Sequence, residues 1–397
     1  MAKYDNSDNV FSEKMSSIFN RILKLPLAGT ASIFLFGPRG TGKTSWLKAH
    51  LPQALYFDLL DFNTYSMLAA NPNRLDQLIP PTYADWIIID EVQRVPELLN
   101  EVHRLIEHKK YKFILTGSSA RNLRKSGVNL LAGRALKYQM HPLVIQEIET
   151  QFHLEQVLRY GLLPASIGHD DPKKYLESYV QTYVREEVLQ EGLTRNIGAF
   201  ARFLEVARIW QGQVLNASEI ARELSVNRLT VANYFDILED LLLSIRISSF
   251  AQRAKRKIIA HQKFYFFDAG VYATLRPKGP LDSPEESDGA TLETVFLQSL
   301  RAINDYYELG YTIHFWRTIA GEEVDFVIYG PRGLYAFEIK RSSQITGKSL
   351  KGLKSFGDDY PEAKLFILFL GTQKEYHGDV TAMPFVQALR ELPQLIG

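Results

Sequence analysis

Two groups of residues in this chain could do chemistry. The first is Gly37-Pro38-Arg39-Gly40-Thr41-Gly42-Lys43-Thr44, which fits G-x-x-x-x-G-K-[ST] in full. An apolar run at 33–36 precedes it and a helix-compatible stretch at 45–50 follows, the strand–loop–helix setting of a phosphate-binding loop. Glycines let the backbone turn its N–H groups toward a phosphate, and the helix N-terminus adds its positive dipole end. Lys43 would reach the β- and γ-phosphates, and the Thr44 hydroxyl would bind Mg²⁺. The expected cofactors are therefore ATP and Mg²⁺. The second group is Asp325, Glu338 and Lys340, a D…E-x-K pattern on two apolar stretches. Alternate residues of a strand share a face, so Glu338 and Lys340 project together and Asp325 on the neighbouring strand can join them. Two carboxylates can hold Mg²⁺, which polarises a phosphodiester and activates a water, while the lysine stabilises developing charge. Glu293, on the preceding helical stretch, is a further candidate metal ligand.

Other residues extend the first group. The run Ile87-Ile88-Ile89-Asp90-Glu91 is an apolar strand ending in two carboxylates. Asp90 would hold the Mg²⁺ and Glu91 would orient the attacking water. Phe113-Ile114-Leu115-Thr116-Gly117-Ser118-Ser119 is a second such strand. Ser118 or Ser119 at its end suits either a γ-phosphate sensor or a helix N-cap. Arg134 is the first candidate for an arginine supplied to a neighbouring subunit's phosphate site, with Arg121 and Arg124 behind it; a solvated surface arginine is the alternative.

These residues must be positioned by folded elements. Strand candidates at 33–36, 54–58, 86–90 and 113–116 alternate with helices such as 96–108, which predicts an α/β domain with a largely parallel sheet. An apolar helical spacing also runs through 10–25. From about 142 to 249 the pattern is helical, with candidates at 154–160, 173–191 and 197–210. The stretch 216–234 reads as a helix-turn-helix, and 243–250 with 263–268 as its β-wing. Pro, Gly, Ser and acidic residues crowd 277–288, the clearest linker. A helix (291–306), three strands (312–317, 323–328, 334–340), a helix (349–359), a strand (364–370) and a helix (384–392) follow. The expected division is 1–145, a phosphate-loop ATPase domain; 146–276, a helical and winged-helix region; and 277–397, a smaller nuclease-like α/β domain.

Gly37–Thr44, Asp90-Glu91-Val92-Gln93, Thr116-Gly117-Ser118-Ser119, Leu131-Ala132-Gly133-Arg134 and His141-Pro142-Leu143 together resemble a widespread prokaryotic family of AAA+ ATPases. The resemblance covers nearly the whole chain, from about 31 to 370. It implies a C-terminal domain with a winged helix and a restriction-endonuclease-like PD-(D/E)xK fold, although Val324 stands where the family's proline would be. It also implies an oligomer, by the habit of the class a ring, with Arg134 acting in trans.

Composition narrows the partners. The 397 residues suffice for two or three domains, and 46% of them are hydrophobic. A formal net charge of +1 argues against nucleic-acid binding by global charge and leaves room for local patches. There is no cysteine, which excludes disulfides, thiolate metal sites and thiol catalysis. No apolar run reaches the roughly 18 residues of a membrane span, and residues 1–14 are unlike a signal peptide, so the expectation is a cytoplasmic protein with no membrane partner. DNA is the expected partner. Asn227, Arg228, Thr230 and Asn233 would face a groove, Arg253, Lys255, Arg256, Lys257 and Lys263 would form a basic wing, and Lys348, Lys351 and Lys354 recur at helical spacing. Each set has a bland alternative, a protein-docking helix pair or a solvated face.

Overall fold

Strands buried on both faces shape the first part of the chain. The computed structural model describes residues 19–119, 131, 133–184, 197–254, 256–275 and 284–397. The chain clusters into two compact units, Met1–His141 with Asp240–Leu242, and Pro142–Glu239 with Leu243–Gly397.

In the first unit, β1 (Ser32–Phe36), β2 (Leu55–Asp58), β3 (Trp86–Asp90), β4 (Lys112–Gly117) and β5 (Ala135–Gln139) form one sheet in the order β2-β3-β4-β1-β5. Every pairing is parallel. β1, β3 and β4 are almost wholly buried, which is why they read as continuous apolar runs and not as alternating ones. Helix Leu98–Lys109 lays Leu98, Leu99, Val102 and Leu105 on the core of Phe34, Ile87, Ile89, Phe113 and Leu115. The sheet order seats β4 between β1 and β3, so the C-terminal ends of these strands open side by side. Strand β5 has no counterpart among the sequence-based elements. It is the half-exposed edge, and its apolar signal is correspondingly weak.

The helical spacing at 10–25 is not realised in its described part, since residues 19–26 carry no helix. Leu23 is buried there, and the Arg21 guanidinium bonds the carbonyls of Thr41 (2.8 Å) and His141 (2.6 Å). The segment serves as a strap, tied down by this polar anchor.

The second unit holds an eight-stranded mixed sheet. Its strands are β6 (Ser244–Ser249), β7 (Gln262–Phe266), β8 (Thr312–Arg317), β9 (Glu323–Gly330), β10 (Gly333–Lys340), β11 (Lys364–Phe369), β12 (Glu375–His377) and β13 (Val380–Pro384). The order is β12-β13-β11-β10-β9-β8-β6-β7. β8, β9 and β10 run as an antiparallel meander. β10 then pairs parallel with β11 after helix Lys351–Asp359, the crossover a parallel pair requires. The strands on either side of 277–288 thus share one sheet, joined by the short parallel β6–β8 pairing at Ser248–His314 and Ser249–Phe315. Residues 277–283 of that stretch lie outside the described residues. From Pro284 the chain is already helical, through to Tyr306.

Helix Ala217–Leu224, a three-residue turn and helix Arg228–Asp240 match the expected helix-turn-helix spacing. Ile220, Leu224, Val231, Tyr234, Ile237 and Leu238 are buried. Phe200 and Phe203 of helix Ile197–Ala207 pack on the Tyr234 ring at centroid distances of 5.3 and 5.1 Å. The β6–β7 hairpin, expected as the β-wing, forms one end of the eight-stranded sheet.

Candidate functional site

The phosphate loop leaves β1 and enters helix Lys43–His50. Gly40 (φ 83°) and Gly42 (φ 89°) occupy the left-handed region, where a side chain would be strained. Lys43 is buried, and its Nζ donates to the carbonyls of Gly37 (2.7 Å) and Pro38 (3.2 Å). The ammonium thus lies across the loop it belongs to. Thr44 Oγ1 donates to Asp90 Oδ2 at 2.6 Å, bringing both expected Mg²⁺ ligands together. Mg²⁺ commonly takes one or two protein groups plus phosphate oxygens and water, so this donor pair suits it.

Sequence reasoning missed two further partners of Asp90. The Thr116 hydroxyl bonds Asp90 Oδ1, and the Tyr56 phenol bonds Asp90 Oδ2. Burial, then the Asp90 charge, raises the Tyr56 pKa far above that of a free phenol, so it remains a donor. Neither residue had a spacing signal, because both sit on strands adjacent in space and distant in sequence. Groups that orient a ligating carboxylate commonly tune metal affinity. Tyr56→Phe is therefore expected to raise the Mg²⁺ concentration for half-maximal ATP hydrolysis by about tenfold, read from a Mg²⁺ titration at saturating nucleotide.

Glu91 follows β3 with a left-handed backbone (φ 59°). Its Oε2 accepts from Gln93 Nε2 at 2.5 Å and from Ser118 Oγ at 3.2 Å, and Gln93 Nε2 also donates to Ser118 Oγ at 3.0 Å. Gly117 makes room for that amide, since a Cβ there would meet Gln93 Oε1 at 2.7 Å. Ser118 is thus held beside Glu91 at the strand ends. Arg134 is elsewhere. It precedes β5, at the N-terminal end of the sheet, and its guanidinium pairs with Glu107. Five strand residues separate that end from the phosphate loop, about 16 Å at the usual rise. Arg134 is therefore not part of its own chain's loop site. Arg121 and Arg124 lie outside the described residues.

In the second unit Asp325, Glu338 and Lys340 do converge. The β9–β10 register, continued one step past Phe337–Phe326, sets Asp325 opposite Glu338. Like charges facing one another across strands repel. Compensation comes from a nitrogen beside each oxygen, three by hydrogen bonds and one by an ion pair. Asp325 Oδ2 accepts from Ile339 N (2.8 Å) and Oδ1 lies 3.6 Å from Lys263 Nζ. Glu338 Oε1 pairs with Lys340 Nζ (2.5 Å) and Oε2 accepts from Asp325 N (3.3 Å). Lys263 Nζ also meets Glu323 Oε1 at 2.5 Å and Glu293 Oε2 at 3.9 Å, and Tyr265 donates its phenol to that Glu293 oxygen at 2.6 Å. Burial, then Asp325, pushes Glu338 up to about 8 and Glu293 to about 7, against the pull of the lysines. Burial opposes charge on Lys263, yet Tyr265 and the acids around it hold its pKa well above normal.

This arrangement corrects two expectations of the basic wing. Lys263 is not on an exposed wing; it is 3% exposed and lies among carboxylates. Arg256 pairs with Glu322 (2.7 Å) and Asp359 (3.2 Å), leaving Arg253 and Lys257 as the exposed cations of that described stretch. The oxygens of Asp325 and Glu338, and Glu293 Oε2, thus each face an ammonium, phenol or amide hydrogen. Among the described residues no group of three His, Asp or Glu side chains is set to hold a metal. Of the remaining lysines, Lys348 precedes helix Lys351–Asp359 and does not share its face, and Lys351 pairs with Glu322 at 3.6 Å. Lys255 lies outside the described residues.

Of the groove-facing candidates, Arg228 and Asn233 are exposed on the second helix. Asn227 instead accepts from Thr230 N at 2.7 Å and from Thr230 Oγ1 at 2.9 Å, tying both to the helix start as an N-cap. Asn227→Ala is expected to destabilise by about 1 kcal/mol in thermal unfolding.

Comparison with known families bears on both units. Residues 30–149 match the family model described as an AAA domain. The match supports a nucleotide-binding ATPase. After that stretch, residues 151–282 match a domain of unknown function (DUF8612), and residues 288–388 a domain of unknown function (DUF4143). The chain is 26% identical over 371 residues to uncharacterized protein Rv2008c of Mycobacterium tuberculosis and to uncharacterized protein Mb2031c of Mycobacterium bovis, covering 90% of this chain and 80% of each relative. It is 22% identical over 355 residues to uncharacterized protein MJ1544 of Methanocaldococcus jannaschii, covering 81% and 78%. Among solved structures, the Aeropyrum pernix ORC1 protein in complex with DNA aligns with 69% of this chain and 92% of its own, at 12% identity and a TM-score of 0.30. Protein VC1899 from Vibrio cholerae aligns with 92% and 97%, at 10% identity and a TM-score of 0.23. Those scores are too low for either likeness to carry weight. Among the described residues no helix is long and apolar enough to cross a membrane.

Proposed function

We propose that this chain is an ATP-hydrolysing AAA+ protein that acts on DNA, with nucleotide turnover as its switch or drive. The observation that carries the ATPase half is the Thr44–Asp90 bond, which sets two Mg²⁺ ligands at the mouth of the phosphate loop beside Glu91 and Ser118. In this reading Gly37–Thr44 hold the nucleotide and Glu91 orients the attacking water. Ser118 reports the γ-phosphate, and Arg134 serves a neighbouring subunit of a cytoplasmic homo-oligomer.

The DNA half rests on the two helices at 217–240. Arg228, Leu229 and Asn233 are exposed at the start of the second helix, where a recognition helix meets bases and phosphates. With the β6–β7 hairpin they support a winged-helix module in the proposed middle part, 146–276, between an ATPase part at 1–145 and a nuclease-like part at 277–397. Fluorescence anisotropy with labelled duplex should show an affinity that falls steeply with salt and differs between ATP-bound and nucleotide-free protein. Arg228→Ala should weaken binding and lower the salt slope by about one. An affinity indifferent to salt, nucleotide and Arg228 would remove DNA from the proposal and favour a protein-docking role for these helices.

A second reading, cutting of DNA at Asp325, Glu338 and Lys340, is favoured by the convergence of these side chains on β9 and β10. Mg²⁺-dependent cleavage that disappears in Lys340→Ala would support it.

A further inference from the structure

We propose that Lys263 takes the place of a divalent cation in the Asp325–Glu338 cluster, so that this site is neutralised by ammonium groups and takes no metal ion. The inference builds on the nuclease-like reading of the cluster and deepens it, by naming what decides between a cutting and a non-cutting site.

Lys263 comes from β7, at the far edge of the sheet order from β10, and its side chain is 3% exposed. Its Nζ lies within 4 Å of carboxylates from three places: Glu293 on the long helix, and Glu323 and Asp325 on β9. That is the position a divalent ion would need in order to gather these acids. A hard cation requires several oxygens pointing inward with their lone pairs available. Here the Asp325 and Glu338 oxygens point at Lys263, Ile339 N, Lys340 and Asp325 N. The Tyr265 hydroxyl takes the Glu293 oxygen nearest Lys263. A metal entering this space would have to displace a buried ammonium or lie against it, and like charges in a site of low dielectric repel strongly. Lys340, the lysine of the D…E-x-K pattern, is half-exposed at the rim, so the pattern itself is intact. Lys263 is an addition from outside it, and it meets the acids that a second metal ligand set would use.

The test is Mn²⁺ binding by electron paramagnetic resonance on the full-length, nucleotide-free chain, in an Asp90→Asn background that removes the carboxylate expected to hold metal at the phosphate loop. With Lys263 present, no Mn²⁺ should bind in a manner sensitive to Asp325→Asn. Lys263→Met should gain one bound Mn²⁺, with affinity higher by on the order of tenfold or more, and the further change Asp325→Asn should abolish it. Mn²⁺ held by the Lys263 protein and released by Asp325→Asn would overturn the inference. So would a folded Lys263→Met protein that gains no ion. Should Lys263→Met fail to fold, the first comparison decides alone. A cleavage assay separates this inference from the reading beneath it. Metal-dependent cutting by the unaltered chain, lost in Lys340→Ala, overturns the role of Lys263 while the nuclease-like reading stands. Cutting that appears only in Lys263→Met supports both.

Discussion

Glu91→Gln is expected to bind ATP with near-normal affinity and to hydrolyse it about a hundredfold more slowly or worse, the usual range for loss of a positioned general base. The geometry gives reasons for both halves. In the proposed reading nucleotide affinity rests on the loop amides, on Lys43 and on the Thr44–Asp90 pair, none of which the substitution touches. Turnover depends on a carboxylate that can take up proton density from water, and an amide cannot. Glu91 is fixed for such a task by its left-handed backbone and by Ser118 and Gln93, which share its Oε2. Lys43→Ala is the complementary control and should lose affinity first. Equilibrium binding of a fluorescent ATP analogue, beside steady-state phosphate release, separates the two effects. Normal release by Glu91→Gln would remove Glu91 from the reaction and leave Asp90 as the only acid of that strand with a part in it.

How much of this arrangement can be read from the chain differs between the two units. Strands β1, β3 and β4 are legible because a parallel strand buried on both faces must be apolar throughout, and the polar residues that end each run mark where the sheet opens. That places Thr44, Asp90, Glu91 and Ser118 at neighbouring strand ends. It does not reveal Tyr56 or Thr116, whose hydroxyls act across the sheet and leave no periodic trace. Arg21 is similar, a strap residue whose partners are carbonyls near 41 and 141. In the second unit the helix-turn-helix spacing is legible from its apolar positions. The continuity of β6 with β8 is not, since it rests on two residue pairs between strands about 65 positions apart. One family match ends at 282 and the next begins at 288 while a single sheet draws strands from both, so units of sequence and of packing differ here. Lys263 is the most instructive case. Its basic neighbours at 253–257 suggested a solvated wing, yet Phe264-Tyr265-Phe266-Phe267 directly after it is the composition of a buried strand. A lysine leading such a run is a candidate for burial with partners.

Lys263→Ala should therefore destabilise the second unit by about 3–5 kcal/mol, the range for removing one partner of a buried ion pair. The loss has little to do with lysine packing. It arises because Glu293, Glu323 and Asp325 would remain close together in a poorly solvated site with their compensating charge gone. If that is the cause, Asp325→Asn in the same chain should restore part of the stability, whereas a simple cavity would not respond to it. The pH dependence has a defined sign. Glu338 and Glu293 titrate higher in the folded protein, at about 8 and about 7, than free glutamate at 4.5. Between those values the folded state binds more protons than the unfolded one, so stability falls as pH rises from about 4.5 to about 8. Removing Lys263 takes away a charge that lowers both pKa values, which extends the window upward and makes the deficit larger at pH 8 than at pH 6. Chemical denaturation of both proteins at the two pH values measures it. An equal deficit at both, unaffected by Asp325→Asn, would mean that Lys263 acts by volume and not by charge.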